Sequence, residues 1–166
     1  GRPFSVIMLD LDTFKRINDT LGHAAGDHVI EQTARVLRQA VRTSDVACRI
    51  GGEEFLIICT ETDEHGGLAC AEHIREAIAA NGFSYNGTRI QVTASLGVAQ
   101  ADREMSTTDE LLHAADEALY ASKRSGRNRA TAASACARIG TNTELPGSLV
   151  PSDCLPNHTA APIAVT

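Results

Sequence analysis

A Gly-Gly pair at positions 51 and 52 lies between two apolar runs, and it constrains the fold of this chain strongly. Residues 46–48 lead into the pair and residues 55–59 lead out of it. Adjacent glycines supply the positive φ values that a tight turn between strands requires, so the pattern predicts a β-hairpin. The turn also carries Glu53 and Glu54, whose carboxylates repel each other unless both stay solvated or a cation lies between them. These residues alone are compatible with a solvated acidic turn or with a metal site.

A second apolar run ends in acidic residues. Residues 4–9 are almost continuously apolar, as expected for a strand that is buried on both faces, and Asp10 and Asp12 follow directly. Charge therefore begins where this strand reaches the surface. Polar side chains and glycines then recur over residues 14–27, and we interpret that stretch as a loop that binds a ligand.

Hydrophobic periodicity predicts helices in the middle of the chain. Apolar residues recur at three- and four-residue spacing over 26–41 and 63–80, which indicates two helices with one buried face each. Asn81-Gly82 is expected to end the second helix by offering a left-handed backbone position.

Hairpin, strand and helix signals follow. Asn86-Gly87 predicts a hairpin, and the alternation over 90–98 predicts a strand with one face on the core. Thr107 and Glu110 fit a capping box for a last helix that ends at Gly126. Its expected inner stripe is Leu111, Ala115, Leu119 and Ser122. Strands that alternate with helices and are joined partly by hairpins predict an α/β or α+β domain, with helices packed on a mixed central sheet.

Composition limits the class of protein. The chain has 166 residues, 43% hydrophobic and 22% charged, which suits one soluble domain. No apolar run approaches the roughly 20 residues that cross a bilayer, and no signal peptide is visible, so we expect no membrane contact. The net charge of -6 argues against a nucleic acid polymer as partner. Five scattered cysteines without a Cys-x-x-Cys pair indicate reduced thiols in a cytoplasm and argue against zinc.

The C-terminal part differs in composition. Four of the five prolines lie after residue 145, and no Phe, Trp or Tyr follows Tyr120. We therefore expect a domain over residues 1–132 and a mostly disordered tail over 133–166.

Several motifs occur together in a fixed order. Residues 10–19 fit Asp-x-Asp-x-Phe-Lys-x-x-Asn-Asp, residues 22–27 fit Gly-His-x-x-Gly-Asp, and residues 51–55 read Gly-Gly-Glu-Glu-Phe. Further matches are Thr-Ala-Ser-Leu-Gly-Val-Ala at 93–99, Ala-Asp-Glu-Ala-Leu-Tyr at 115–120 and Lys-Arg-Ser-Gly-Arg-Asn at 123–128. Over residues 4 to 130 the chain resembles the GGDEF family of diguanylate cyclases, which has a fold like that of nucleotide-cyclase palm domains.

The resemblance also bears on the N-terminus. Family members carry a helix and an Asp-x-Leu-Thr-Gly-Leu-x-Asn-Arg stretch before the first strand, whereas that strand lies close to Gly1 here. We therefore expect the domain to be truncated at its start, and to belong to a larger sensory or membrane-bound protein.

The resemblance implies a reaction and a metal. Diguanylate cyclases join two GTP molecules into cyclic di-GMP and release two pyrophosphates, because each 3′-hydroxyl attacks the α-phosphate of the other nucleotide. Asp10, Glu53 and the backbone carbonyl of Leu11 would bind magnesium, or manganese in its place. Either glutamate of the turn, Glu53 or Glu54, could accept the hydroxyl proton, and a metal-bound hydroxide is a third possibility.

The resemblance implies the other substrate contacts too. Lys15, Lys123 and Arg127 would lie near the triphosphate, although each could instead be a solvated surface charge. Asn18 and Asp27 would read the guanine edge, while Asp27 could alternatively cap a helix. Phe14 and His23 complete the expected substrate site, with a structural role favoured over direct contact for His23.

A second site is implied by Arg-x-x-Asp, which in this family binds the product and lies five residues before the first glycine of the turn. Arg42 and Asp45 stand in those positions, and His73 stands where a second arginine often assists. One active site holds half of the reaction, so activity would require a homodimer.

Other functions remain open from sequence. A catalytically inactive receptor for GTP or cyclic di-GMP is the main alternative, although such receptors have lost the acids of the turn. Another nucleotide cyclase or a polymerase-like palm would share the carboxylates, but Asn18 and Asp27 argue against it. A purely structural module would leave the clustered motifs without explanation.

Overall fold

The central strand of the fold is the apolar run that ends in Asp10. In a computed structural model that describes residues 2–102, 105 and 107–140, this strand is the middle of a five-stranded sheet. The elements in chain order are β1 (Ser5–Leu11), α1 (Phe14–Leu21), α2 (His23–Ala40), β2 (Val46–Arg49), β3 (Glu54–Cys59), α3 (Glu64–Ala80), β4 (Ser84–Tyr85), β5 (Thr88–Arg89), β6 (Ala94–Gln100), α4 (Thr108–Arg124), β7 (Ala130–Ala132) and α5 (Ala133–Gly140).

The sheet is mixed. Its strand order is β2-β3-β1-β6-β7, with antiparallel pairing except between β6 and β7, which are parallel. β4 and β5 form a separate two-stranded hairpin. The predicted mixed α+β architecture is therefore confirmed.

Both faces of β1 are covered, as its apolar run predicts. Ile7 and Leu9 pack into a large core with side chains from α1, α2 and α3. Val6 points to the opposite face and packs with Leu111 and Ala115 of α4. The two-residue period of a strand explains this division, because successive side chains point to opposite faces. Among the described residues, no helix is long and apolar enough to cross a bilayer.

Several local predictions are confirmed. Asn86 and Gly87 have φ values of 48° and 78°, as the turn of the β4–β5 hairpin requires. The Thr107 side chain accepts a hydrogen bond from the backbone N–H of Glu110 and caps α4. The expected inner stripe of α4 is buried. The helix ends at Arg124, and Gly126 follows it with φ 110°.

The interpretation of residues 14–27 as a loop is wrong. Residues Phe14–Leu21 form α1, and α2 begins at His23, three positions earlier than predicted. Phe14 and Ile17 are one helical turn apart and are both buried. Their burial outweighs the polar character of the rest of the segment, which faces solvent.

Two predictions about backbone conformation are also wrong. Neither Gly51 nor Gly52 has a positive φ, and β2 and β3 are separated by four residues and not by a two-residue turn. Asn81 is extended, with φ -66° and ψ 123°, and Gly82 also lacks a positive φ. The helix α3 instead ends with the N–H of Asn81 bonded to the carbonyls of Ala77 and Ile78.

Two element boundaries differ from prediction as well. β6 begins at Ala94, and Ile90 and Val92 are buried outside it. The expected tail begins with a helix, since α5 covers Ala133–Gly140 and its Ala133 packs against the core on the α4 side. The remainder of the expected tail lies outside the described residues.

Gly97 allows β6 and α4 to come into backbone contact. A Cβ atom at Gly97 would lie 2.1 Å from both the carbonyl oxygen of Ala115 and the amide nitrogen of Leu119. Ser122 adds a hydrogen bond of 2.7 Å from its hydroxyl to the carbonyl of Leu96. The position of α4 over the sheet is therefore fixed, because the backbones of α4 and β6 are in direct contact and neither can shift without the other.

We expect Gly97→Ala to lower the free energy of unfolding by about 3 kcal/mol, because the added methyl group separates β6 from α4. Gly82→Ala is the matched control, since its Cβ would meet nothing within 4 Å. That control should change the free energy by less than about 1 kcal/mol. Urea unfolding followed by circular dichroism measures both. Equal values for the two variants would contradict the close contact.

Candidate active site

The acidic residues of two distant motifs meet at one end of the sheet. Asp10 is the sixth residue of β1 and faces Glu54, the first residue of β3, across the antiparallel pair. The N–H of Leu11 donates a 3.2 Å hydrogen bond to the carbonyl of Glu53, which holds the turn against the end of β1. Strand pairing thus brings three carboxylates, those of Asp10, Glu53 and Glu54, to the same edge.

The turn between β2 and β3 is held by its own backbone and by one arginine. The guanidinium of Arg49 donates to the carbonyl oxygens of Gly51 and Gly52, at 3.0 and 2.8 Å. A Cβ at Gly51 would lie 2.3 Å from a carboxylate oxygen of Glu54. Glycine at position 51 therefore leaves room for the Glu54 side chain, which any larger residue would displace.

The electrostatics of this edge favour a bound cation. The pKa of Glu53 is raised, first by partial burial and then by the negative charges of Asp10 and Glu54, while Lys123 opposes the shift. Asp10 is 8% exposed, so its charge is poorly screened by water. Adding positive charge here would relieve a repulsion that the fold imposes.

The lysine of α4 already supplies one positive charge. The Lys123 Nζ atom lies 2.8 Å from the Oδ2 atom of Asp10. Lys15 is exposed in the first turn of α1, and Arg127 is exposed in the turn that follows α4, where it has φ 64°. The structure thus brings Lys123 to the carboxylates and places Lys15 and Arg127 on the segments that flank the end of β1.

Asp12 has a role that sequence reasoning did not assign. Its side chain is 5% exposed and accepts hydrogen bonds from the hydroxyls of Thr93 and Ser95, both at 2.7 Å. It also accepts from the backbone N–H of Asn128 at 3.0 Å. Asp12 therefore holds the turn that contains Arg127 against the end of β1. The only available signal was that a second acid follows a buried strand.

Asn18 and Asp27 lie on either side of Gly26. A Cβ at Gly26 would come within 1.9 Å of the Oδ1 atom of Asn18 and 3.1 Å of the Phe14 ring, so the glycine leaves room for the Asn18 carboxamide. Asp27 is in the interior of α2, whose N-cap is Gly22, and the alternative of a helix-capping role is wrong. His23 is the first residue of α2 and is exposed, which fits neither a core position nor a buried contact.

Asp27 is at the rim of the Asp27 cleft, a space of about 480 Å³ between α2 and the β2–β3 hairpin. Its apolar lining includes Ile30, Leu37 and Phe55, and Arg38 and Arg49 add polar groups to the lining. A flat aromatic ring with polar edges is a suitable occupant of a cleft of this kind.

The predicted inhibitory residues meet at a second space. Arg42, Asp45 and His73 line the Arg42 cavity, of about 300 Å³, between the loop after α2 and the helix α3. The Asp45 carboxylate accepts from the backbone N–H of Thr60 at 3.2 Å and from that of Arg42 at 3.3 Å. These bonds order the loop and leave the exposed Arg42 guanidinium available to a ligand.

Comparison with known proteins agrees with this geometry. The family model described as diguanylate cyclase, GGDEF domain, matches residues 1–129. Diguanylate cyclase A of Treponema denticola is 42% identical over 127 residues, which are 76% of this chain and 34% of that protein. Response regulator PleD of Caulobacter vibrioides is 42% identical over 130 residues, which are 77% of this chain and 29% of that protein. The chain thus spans about a third of these relatives.

Solved structures give the same result. The GGDEF domain of DgcB from Caulobacter crescentus, in complex with c-di-GMP, has a TM-score of 0.74 at 36% identity and covers 80% of this chain and 78% of that chain. The active GGEEF domain of a diguanylate cyclase from Vibrio cholerae has a TM-score of 0.74 at 32% identity and covers 79% of this chain and 83% of that one. On the family match, the sequence identity and the shared fold together, this chain belongs to the diguanylate cyclase GGDEF-domain family.

Proposed function

We propose that this chain is the catalytic domain of a diguanylate cyclase, which condenses two GTP molecules into cyclic di-GMP and two pyrophosphates. The observation that carries the proposal is the meeting of Asp10, Glu53 and Glu54 beside Lys123 at one edge of the sheet. A receptor that had lost catalysis would not need to retain three carboxylates at an edge where burial, and then the charges of Asp10 and Glu54, raise the pKa of Glu53.

The donor set suits a magnesium ion, with manganese as a substitute. Asp10 and Glu53 supply hard oxygen ligands, and the Leu11 carbonyl lies on the same strand end. Among the described residues there is no group of three or more side chains that would hold a metal alone. That finding fits magnesium in nucleotide enzymes, which is bound by one or two carboxylates and completed by phosphate oxygens and water. The ion would neutralise charge that develops on the phosphates.

The residues around the carboxylates would orient the triphosphate. Lys123 can hold a phosphate oxygen placed beside Asp10, and Arg127 and Lys15 add positive charge on the two flanking segments. Glu54 is our first choice for the group that accepts the 3′-hydroxyl proton, because its carboxylate lies over Gly51 at the open tip of the hairpin. Glu53 then remains available as a metal ligand.

The Asp27 cleft would hold the guanine base. A guanine presents a ring N–H and an exocyclic amine, and a carboxylate can accept from both, whereas adenine offers no such pair of donors on the equivalent edge. Asn18 can donate and accept beside it across Gly26. The apolar walls of the cleft would contact the faces of the ring.

Each chain would supply one GTP and one set of carboxylates, so a homodimer is needed for the attack of each 3′-hydroxyl on the other α-phosphate. The product would then bind the Arg42 cavity and inhibit the enzyme. An arginine guanidinium can both stack on guanine and pair with phosphate, which suits Arg42 to this task. His73 lines the same cavity and could add a further contact.

We expect Glu54→Gln to reduce cyclic di-GMP formation at least about 100-fold, because the amide cannot accept the proton. Glu61→Gln, at an exposed glutamate beyond β3, is the control and should retain activity. Chromatography of reactions with GTP and magnesium measures the product. Its rate should rise faster than linearly with protein concentration. A linear rise from protein that stays monomeric over the tested concentrations would contradict the dimer, and GTP binding without product at any concentration would favour the receptor.

Asp27→Asn should weaken the binding of a non-hydrolysable GTP analogue about tenfold or more, because a charge-assisted contact to the base is lost. Affinity for the matching ATP analogue should not fall. Asp19→Asn is the matched control, since Asp19 is an exposed acid on the neighbouring helix α1. Calorimetric titration of wild type and both variants with the two analogues measures all six affinities. If both analogues weakened equally in Asp27→Asn, the guanine assignment would be wrong.

Arg42→Ala should relieve inhibition by added cyclic di-GMP and leave the initial rate unchanged, because Arg42 lines a cavity that none of the three carboxylates lines. Arg35→Ala is the control, since Arg35 is an exposed arginine of α2 that pairs with Glu31. Initial rates measured over a series of cyclic di-GMP concentrations test this. Inhibition that persisted unchanged in Arg42→Ala would rule out this cavity as the feedback site.

A further inference from the structure

Two cysteines line the Arg42 cavity. Cys59 is the last residue of β3 and is 1% exposed, whereas Cys70 is on α3 and is partly buried. Both residues also belong to one apolar cluster, and each thiol shifts the pKa of the other. Nothing in the proposed catalytic or feedback chemistry uses either thiol.

A close approach of α3 to the sheet brings the two residues together. A Cβ at Gly67 would lie 3.0 Å from the Cβ of Ser5 and 2.9 Å from a methyl group of Val98. Ser5 faces Cys59 in the pairing of β1 with β3. Cys70 lies one helical turn after Gly67, so it faces the same end of the sheet. The pairing of the thiols therefore depends on packing that only glycine permits.

The two thiols differ in reactivity. The pKa of Cys70 is lowered because the Cys59 thiol donates a hydrogen bond to its sulfur, and Arg42 adds to the effect while burial and Asp45 oppose it. The pKa of Cys59 is raised, first by that hydrogen bond and then by burial. Cys70 is thus the accessible nucleophile, and Cys59 is its buried neighbour.

A metal centre is the other chemistry that cysteines could support here, since Asp45 and His73 also line the cavity. Within residues that the structure describes, however, no three such side chains are close enough to share an ion. The geometry favours a reaction between the two sulfur atoms.

We propose that Cys59 and Cys70 are a redox-active thiol pair, which a hydroperoxide converts to a disulfide that alters the Arg42 cavity. The Cys70 thiolate attacks one peroxide oxygen, forms a sulfenic acid and releases hydroxide or an alcohol. The Cys59 sulfur then attacks the Cys70 sulfur, and water leaves as the disulfide forms. Two thiols lose two electrons in total, and the peroxide gains them.

The new bond would tie the end of β3 to α3 on the wall of the cavity. Both cysteines line the space that Arg42 and Asp45 also line, so a bond between them would change its shape. This second part rests on the proposed product feedback, whereas disulfide formation itself does not depend on cyclase activity.

The test treats the reduced chain with hydrogen peroxide, blocks free thiols with an alkylating reagent and maps the digested peptides by mass spectrometry. We expect a Cys59–Cys70 cross-linked peptide that dithiothreitol reverses. It should be lost in Cys70→Ser and retained in Cys48→Ser, the control at an exposed cysteine of β2. In Cys59→Ala, dimedone should trap Cys70 as the sulfenic acid. Treated wild-type protein in which Cys70 is oxidised and Cys59 remains a free thiol would overturn the proposal.

Calorimetric titration with cyclic di-GMP then compares reduced and oxidised protein. We expect the affinity of the oxidised protein for cyclic di-GMP to differ from that of the reduced protein by about tenfold or more. Equal affinities in a fully cross-linked sample would overturn the effect on the cavity. Absence of binding to the reduced chain would overturn the feedback site together with that effect, and the peptide map would still decide whether the thiol pair exists.

Discussion

The buried carboxylate of Asp12 connects the end of β1 to β6 and to the turn beyond α4. It accepts hydrogen bonds from Thr93 before β6, from Ser95 within β6 and from Asn128 beyond α4. A charge that is removed from water needs such partners, because an unsatisfied buried carboxylate would cost several kcal/mol. These hydrogen bonds fix the end of β1. They thereby also fix the positions of Asp10 and of the turn that contains Arg127.

The positions of the charged residues in the site follow from the way the strands and helices pack. Asp10 is at the edge because β1 ends there, and Glu53 and Glu54 are beside it because β3 pairs with β1 in a fixed register. Lys123 reaches Asp10 from α4, which contacts β6 through Gly97. The repulsion among the carboxylates is thus a property of the backbone arrangement. Such a site is suited to bind a divalent cation whose other ligands are phosphate oxygens.

Much of this could be predicted from sequence where the signal is local. The alternating burial of β1, the Asn86-Gly87 turn and the Thr107 cap each depend on residues within a few positions of one another. The helix α1 was missed because most of its residues are polar, and only its packing on α2 makes it a helix. The fit of Asn18 against Gly26, the partners of Asp12 and the Cys59–Cys70 contact join residues that are distant in sequence, so no local pattern could reveal them.

The contact at Gly97 has a consequence for how such a domain can be controlled. Because α4 and β6 meet backbone to backbone, Lys123 has almost no freedom to move away from Asp10 by a shift of its helix. A domain in which α4 and β6 can move so little relative to each other is poorly suited to regulation by a conformational change at its own catalytic site. In the homodimer proposed above, activity would instead depend on how often two such domains face each other. The same unit could then serve many different inputs without any change to its interior.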